Sequence, residues 1–139
     1  MIVLDTNVVS ELMKSAPDVA VARWIAGHQA TTLYTTSITQ AEVLHGILLL
    51  PSGKRRAALE AAAEAMFDKD FGGRVLPFGA DAARAYAQIA SQRRRSGRPI
   101  STFDAQIAAI TRIARAAVAT RNVRDYDDCG IKVVNPWHA

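Results

Sequence analysis

Met1-Ile2-Val3-Leu4-Asp5-Thr6-Asn7 opens the chain with a short aliphatic run that ends on an acid and passes into polar, helix-starting residues. Consecutive apolar side chains bounded in this way read as a strand covered on both faces, the kind that builds parallel sheets. Asp5 then falls at the carboxyl end of that strand, where ligands and catalytic groups collect in open α/β sheets. Asp5 could cap the following helix, but Thr6 and Asn7 can also serve, which would leave its carboxylate free.

Outward from this stretch, strands and helices alternate. The pattern predicts a helix over Asn7–Met13, a second opened by Pro17 that runs through Trp24 and Ile25 to about Gly27, and a strand over Leu33–Thr35. Ser37-Ile38-Thr39-Gln40 has the form of a capping box, and the helix it starts should run to about Leu50, where Pro51 stops it. An Ala-rich helix is expected from Lys54 to Phe67, with a break at Gly72-Gly73 and a short strand at Val75-Leu76. Asp81–Arg95 should be an amphipathic helix closed by Gly97, followed by a helix over Ser101–Arg115 and strands at Ala117–Ala119 and Lys132–Val134. Such alternation predicts one α/β domain over residues 1–139, with helices wrapped around a parallel sheet.

Four acids fall at the ends of these elements. Asp5 follows the first strand, Glu42 lies in the early turns of the helix from Ser37, Asp104 follows the break Gly97-Arg98-Pro99, and Asp125 follows Thr120-Arg121-Asn122. Ser101 and Asp104 have capping-box spacing. Asp104 also heads a stripe with Ile107, Ala108 and Thr111 at i, i+3, i+4 and i+7 spacing, which turns its carboxylate toward the interior. An unpaired charge there is costly, and a cation would resolve the cost. Glu42 is followed one turn later by Gly46, which leaves room for a substrate on that face. Asp125-Tyr126-Asp127-Asp128 lacks the glycine and distal glutamate of an EF-hand loop. Carboxylates forced together favour a hard divalent ion, Mg²⁺ or Mn²⁺, over zinc, because His28, His45, His138 and Cys129 show no ligand spacing. The hydroxyls, Ser10 among them, have no adjacent base to make a nucleophile.

Composition narrows the classes further. The 139 residues are half hydrophobic and 22% charged, which describes a folded globular domain. Cys129 is the only cysteine, so no internal disulfide forms, and a cytoplasmic location is the expectation. The start carries no basic segment before its apolar run, unlike a secretory signal, and the longest aliphatic run, Ile47–Leu50, is far too short to span a bilayer. The net charge of +4 is concentrated in two blocks, Lys54-Arg55-Arg56 and Arg93-Arg94-Arg95 with Arg98, which suit a phosphate backbone. Either block could equally be a solvated helix end.

The ordered set Leu4-Asp5-Thr6-Asn7, Ser37 to Glu42 with Gly46, Asp104-Ala105 with Ile107-Ala108-Ala109, Thr120-Arg121-Asn122 with Asp125-Tyr126, and the closing Val133-Val134-Asn135-Pro136-Trp137 resembles the motif series of PIN-domain ribonucleases. The likeness is to the VapC-type toxins, including their FitB-like branch, and it spans essentially the whole chain. It implies a three-layer α/β/α fold and a Mg²⁺-dependent endoribonuclease in which Mn²⁺ can substitute. On the matching positions Asp5 and Asp104 would be the principal metal ligands and Glu42 a further acid of the cluster. The fourth acidic position is divided between Asn122 and Asp125. Thr6 and Asn7 would support the ligands, and Arg93, Arg94, Arg95 and Arg98 would contact RNA. The resemblance also implies a homodimer and a small VapB- or FitA-like antitoxin that ties the complex to operator DNA.

Three other readings compete. A haloacid-dehalogenase-type phosphatase needs a second acid two residues after the first, where Asn7 stands; a phosphoacceptor receiver domain needs a late lysine, and none occurs between Lys69 and Lys132. A catalytically weak binding subunit is the third, since Asn122 brings no charge.

Overall fold

The computed structural model describes all residues, Met1–Ala139. Five short strands, β1 (Ile2–Leu4), β2 (Leu33–Thr36), β3 (Val75–Leu76), β4 (Ala117–Ala119) and β5 (Lys132–Val134), form one sheet in the order β3-β2-β1-β4-β5. Every pairing is parallel, with Val3 opposite both Tyr34 and Val118. Six helices cover it: α1 (Thr6–Leu12), α2 (Val19–Ala26), α3 (Ser37–Leu48), α4 (Lys54–Ala65), α5 (Ala80–Arg95) and α6 (Thr102–Ile113).

Strand alternation divides the core into two layers. Val3 and Val118 face α5 and α6, joining Ile89, Ile107 and Ile110 in one buried cluster. Leu4 and Ala119 face the other way, onto Val8 and Val9 of α1, Val43 and Ile47 of α3, and Phe67 just after α4. The result is the three-layer α/β/α architecture expected from the alternation. The chain leaves β1 for β2 and β3 on one side, then returns to β4 and β5 on the other. That reversal puts the carboxyl end of β1 at the switch point of the sheet, where a crevice opens.

Three local expectations need correction. The α3 cap is Thr36, whose hydroxyl accepts from the Thr39 N–H at 3.0 Å; Ser37 is already helical, so no Ser37–Gln40 capping box forms. Thr36 wins because β2 runs one residue further than the pattern suggested and leaves Thr36, not Ser37, in extended backbone. Removing this buried hydroxyl with Thr36→Ala should cost about 1–2 kcal/mol, read as a lower urea midpoint with an unchanged m-value.

The second helix starts at Val19, capped by the Asp18 carboxylate rather than opened at Pro17. The Ala-rich α4 ends at Ala65 and passes into a single π-turn over Met66–Asp70. The wider turn buries Met66 and Phe67 and stacks Phe67 on Phe71 at 6.2 Å, ahead of the Gly72-Gly73 break.

Further along, α5 closes as expected at Gly97, which has φ +75°. The Arg98 N–H bonds to the Arg93 carbonyl and the Gly97 N–H to that of Arg94, a Schellman closure.

Candidate active site

The switch point gathers chain ends that are distant in sequence. Asp5 follows β1, Thr120 follows β4, and the helices α3 and α6 bring Glu42 and Asp104 alongside. Asp5 is buried and, contrary to expectation, is itself the cap of α1: Oδ1 accepts from the Thr6 N–H at 2.8 Å. Its Oδ2 accepts from the Thr120 hydroxyl at 2.8 Å and from the Asn7 amide at 3.4 Å. The carboxylate is therefore aimed by three donors rather than left loose.

Asn7 is fixed in turn. Its amide also reaches the Thr120 hydroxyl at 3.3 Å, and its Oδ1 accepts from the Arg121 N–H at 3.1 Å, which ties α1 to the end of β4. Thr6 sends its hydroxyl to Glu42 Oε1 at 2.9 Å and lies 3.1 Å from the Thr39 hydroxyl.

Asp104 sits in the first turn of α6, whose cap is Ser101; the Ser101 hydroxyl accepts from the Asp104 N–H at 3.2 Å. The Asp104 carboxylate lies 3.4 Å from the Tyr126 hydroxyl. Tyr126 is fully buried, and its hydroxyl lies against both Asp5 and Asp104. Burial next to two carboxylates drives its pKa far upward, so it remains a proton donor throughout the accessible range.

Burial raises the carboxyl pKa of Asp5, Glu42 and Asp104 above the usual range, and mutual repulsion adds to it. Asp5 feels Asp104; Glu42 feels Asp5 and Asp104; Asp104 feels Asp125. No lysine or arginine makes an ion pair with Asp5, Glu42 or Asp104, although four such contacts exist elsewhere in the molecule. The fold thus concentrates negative charge here, offset only by the buried Arg93 guanidinium, which acts on Asp104 without pairing to it.

A cleft of about 230 Å³ opens beside this cluster, lined by Thr6, Ser10, Glu42, Gly46 and Leu50 among others. Gly46 has open space around its Cα, in keeping with the room anticipated on that face.

The remaining sequence candidates divide. Asp125 is exposed on a 3-10 turn over Val123–Tyr126, and its charge acts on Asp104. Asn122 is exposed; its main-chain N–H donates to the Thr120 hydroxyl at 3.1 Å, and its side chain makes no hydrogen bond. Arg93 is a correction. It is 6% exposed and donates to the carbonyls of Arg98, Asp125 and Asp127, so it is out of reach of RNA. Its place on the buried stripe of Ala85 and Ile89, four residues apart, takes it inside. Arg98 pairs with Asp127 and Asp128, while Arg94 and Arg95 are exposed.

Sequence reasoning did not single out Thr120 or Tyr126. Thr120 could have been found, because it follows β4 as Asp5 follows β1. Tyr126 stands in the motif with Asp125 but carried no role of its own, because its contact with Asp104 is made only in the fold.

Tyr126→Phe should leave the fold intact and reduce any cleavage at this site about 10-fold, since it removes one oriented donor from the second layer of the cluster. Steady-state kinetics on a single RNA would show it, and an unchanged rate would remove the hydroxyl from the site.

The PIN domain family matches residues 2–128, nearly the full chain. The protein belongs to the PIN-domain family. Relatives extend this over the whole length. VapC ribonuclease Y4jK of Sinorhizobium fredii is 43% identical over 137 residues, covering 99% of this chain and 98% of that one. Toxin FitB of Neisseria gonorrhoeae is 37% identical over 138 residues, with 99% of both chains covered. The crystal structure of FitAcB from Neisseria gonorrhoeae superimposes with a TM-score of 0.93 at 37% identity, covering 100% of both chains. A structure of FitAB bound to an IR36 DNA fragment gives the same TM-score, with 100% of this chain and 97% of that one covered.

Two rival readings lose their footing on this PIN fold. The phosphatase would need an acid at position 7, where Asn7 is committed to joining α1 and β4. The receiver domain would need Lys132 at the site, but Lys132 begins β5, at the opposite end of the sheet from Asp5.

Proposed function

We propose that this PIN-domain protein is the toxin of a toxin–antitoxin pair and acts as a Mg²⁺-dependent endoribonuclease, with Mn²⁺ able to substitute. The observation that carries the reading is the cluster of Asp5, Glu42 and Asp104, buried or half-buried at the sheet's switch point with no cationic side chain paired to any of them. A hard divalent ion suits such all-oxygen donors. The His, Cys, Asp and Glu side chains do not by themselves form a set of three ligands around one point. That suits Mg²⁺, which binds through one or two carboxylates and completes its shell with waters and substrate phosphate oxygens.

In this reading Asp5 and Asp104 hold the ion. When bound, it lowers the pKa of water and offsets the charge that builds on the phosphoryl group. Asp5 needs no reorganisation, because Thr6, Asn7 and Thr120 already fix its orientation. Glu42, steadied by the Thr6 hydroxyl and with a raised pKa, is suited to orient the attacking water and accept its proton. Asp125 reinforces the field at Asp104. Arg94 and Arg95 are the exposed cations of the α5 end that can meet an RNA backbone.

The partner in this reading is a small VapB- or FitA-like antitoxin, which brings the pair to operator DNA, and the toxin itself is a homodimer. The relatives at 37% identity and TM-score 0.93, solved as FitAcB and as FitAB on DNA, support the antitoxin and operator-DNA part of that reading. No helix is long and apolar enough to cross a membrane, in keeping with a cytoplasmic RNA target.

The test is cleavage of an end-labelled tRNA and mRNA panel with Mg²⁺ or Mn²⁺, beside EDTA and an Asp104→Asn preparation purified identically. Products that vanish in both controls support the assignment. Products that survive in the variant come from another nuclease. If no metal gives cleavage and mass analysis finds no antitoxin in the sample, the chain is a binding subunit.

A further inference from the structure

Arg93 stands apart from its neighbours Arg94 and Arg95, which share its chemistry but project into solvent. Its guanidinium enters the space under the segment 122–130. There Nε donates to the Arg98 carbonyl at 2.7 Å, and Nη1 donates to the carbonyls of Asp125 and Asp127, both at 2.9 Å, and approaches Cys129 Sγ at 3.7 Å. No carboxylate pairs with it. The two carbonyls bracket Tyr126, whose hydroxyl lies against Asp5 and Asp104.

Beyond this clamp, the segment is held by the buried side chains of Tyr126 and Cys129 and, at the surface, by the pairing of Arg98 with Asp127 and Asp128. Between β4 and β5 it forms one 3-10 turn, whose internal bonds run from the Asp125 and Asp127 N–H groups to the Asn122 and Arg124 carbonyls. It also contains two left-handed residues, Asp128 at φ +57° and Gly130 at φ +73°. Short polar turns of this kind have several conformations open to them, and a buried fork of donors selects one.

We propose that Arg93 is the positioning residue of the metal site: its clamp on the Asp125 and Asp127 carbonyls holds the Tyr126 hydroxyl against Asp104, and so sets divalent-ion affinity. The inference rests on the metal-binding reading of Asp5 and Asp104. It makes Arg93 part of the scaffold of the site, in place of a direct RNA contact.

The experiment measures Mn²⁺ binding to EDTA-stripped, dialysed protein by electron paramagnetic resonance of the free ion, at a temperature where circular dichroism shows each variant folded. Arg93→Gln is expected to weaken binding about 10-fold or more, as loss of an outer-shell support does. Ile89→Ala, a fully buried truncation one turn earlier on the same face of α5, supplies a destabilised control that should bind as the parent does. Combining Arg93→Gln with Tyr126→Phe should weaken binding by less than the product of the single effects, because both act through one hydroxyl.

Unchanged affinity in Arg93→Gln overturns the proposal, and so does an equal loss in Ile89→Ala. Should Arg93→Gln fail to fold, Arg93→Lys, which keeps the charge but not the fork, is read against the same control with the same two outcomes. A parent protein that binds no Mn²⁺ overturns the metal reading itself, which is a separate result.

Discussion

Asp5→Asn and Asp104→Asn are each expected to lower RNA cleavage by on the order of 10³-fold while leaving the fold intact, because on the proposed mechanism each would remove one charged ligand of the metal. Asparagine at position 5 keeps the cap, since its carbonyl can still accept from the Thr6 N–H, and it keeps a polar contact to Thr120. The loss would therefore be electrostatic rather than structural. Glu42→Gln should cost less, since Glu42 orients and accepts a proton but is not a principal ligand. Single-turnover rates on one RNA, with Mg²⁺ varied for each variant, separate the two roles. A ligand variant should need more metal as well as react more slowly. Either aspartate variant cleaving at the parental rate would remove that residue from the site.

In EDTA, the same protein should become less stable as pH rises above the ordinary carboxylate range, the reverse of an ordinary surface-carboxylate response. The folded-state pKa values of Asp5, Glu42 and Asp104 lie above their unfolded values, chiefly through burial. Groups shifted in this direction contribute stability that is fully present below the unfolded pKa. That contribution is lost as pH climbs through the folded value, when three neighbouring carboxylates must ionise with no cation paired to them.

Glu11 acts oppositely. Bonds from Lys14 and from the Asp18 N–H hold its pKa down, so its contribution is present above the ordinary glutamate value and is lost as pH falls through the lowered one. The window above about pH 4.5 is therefore governed by the site rather than by Glu11.

Two consequences can be measured by calorimetry. Saturating Mg²⁺ should raise the melting temperature more at pH 7.5 than at pH 5, because the ion stabilises the ionised form. Asp5→Asn in EDTA at pH 7.5 should melt roughly 3 °C above the parent, the response to relief of about 1 kcal/mol in a domain of this size. Parallel pH profiles for parent and variant would mean that the carboxylates are already compensated in the folded protein. A site that is costly without its ligand is a common trade of stability for function.

Much of this organisation is written locally. Ile2–Leu4, Ala117–Ala119 and Lys132–Val134 announce themselves as strands because runs of small aliphatic residues between polar punctuation have few other uses. Gly97 marks the end of α5 because few other residues take its left-handed backbone cheaply. Asp5, Glu42 and Asp104 are legible as a set because acids at strand and helix ends recur in a recognisable order. Those are nearest-neighbour effects, decided within a few residues of chain.

What the sequence could not decide is where a side chain goes once elements meet. Arg93, Arg94 and Arg95 are one basic block in the sequence, yet the segment 122–130 packed over the end of α5 buries the first and leaves the others exposed. Thr36 displaced Ser37 as the cap because pairing between β2 and β3 extends the strand through Thr36. The bond from Thr120 to Asp5 spans 115 residues, and the contact of Tyr126 with Asp104 spans 22. Neither is encoded by local propensity. The first arises because the sheet order places the end of β4 beside that of β1, the second because the turn after β4 folds back onto the start of α6, and together they turn a capping aspartate into one member of a carboxylate cluster.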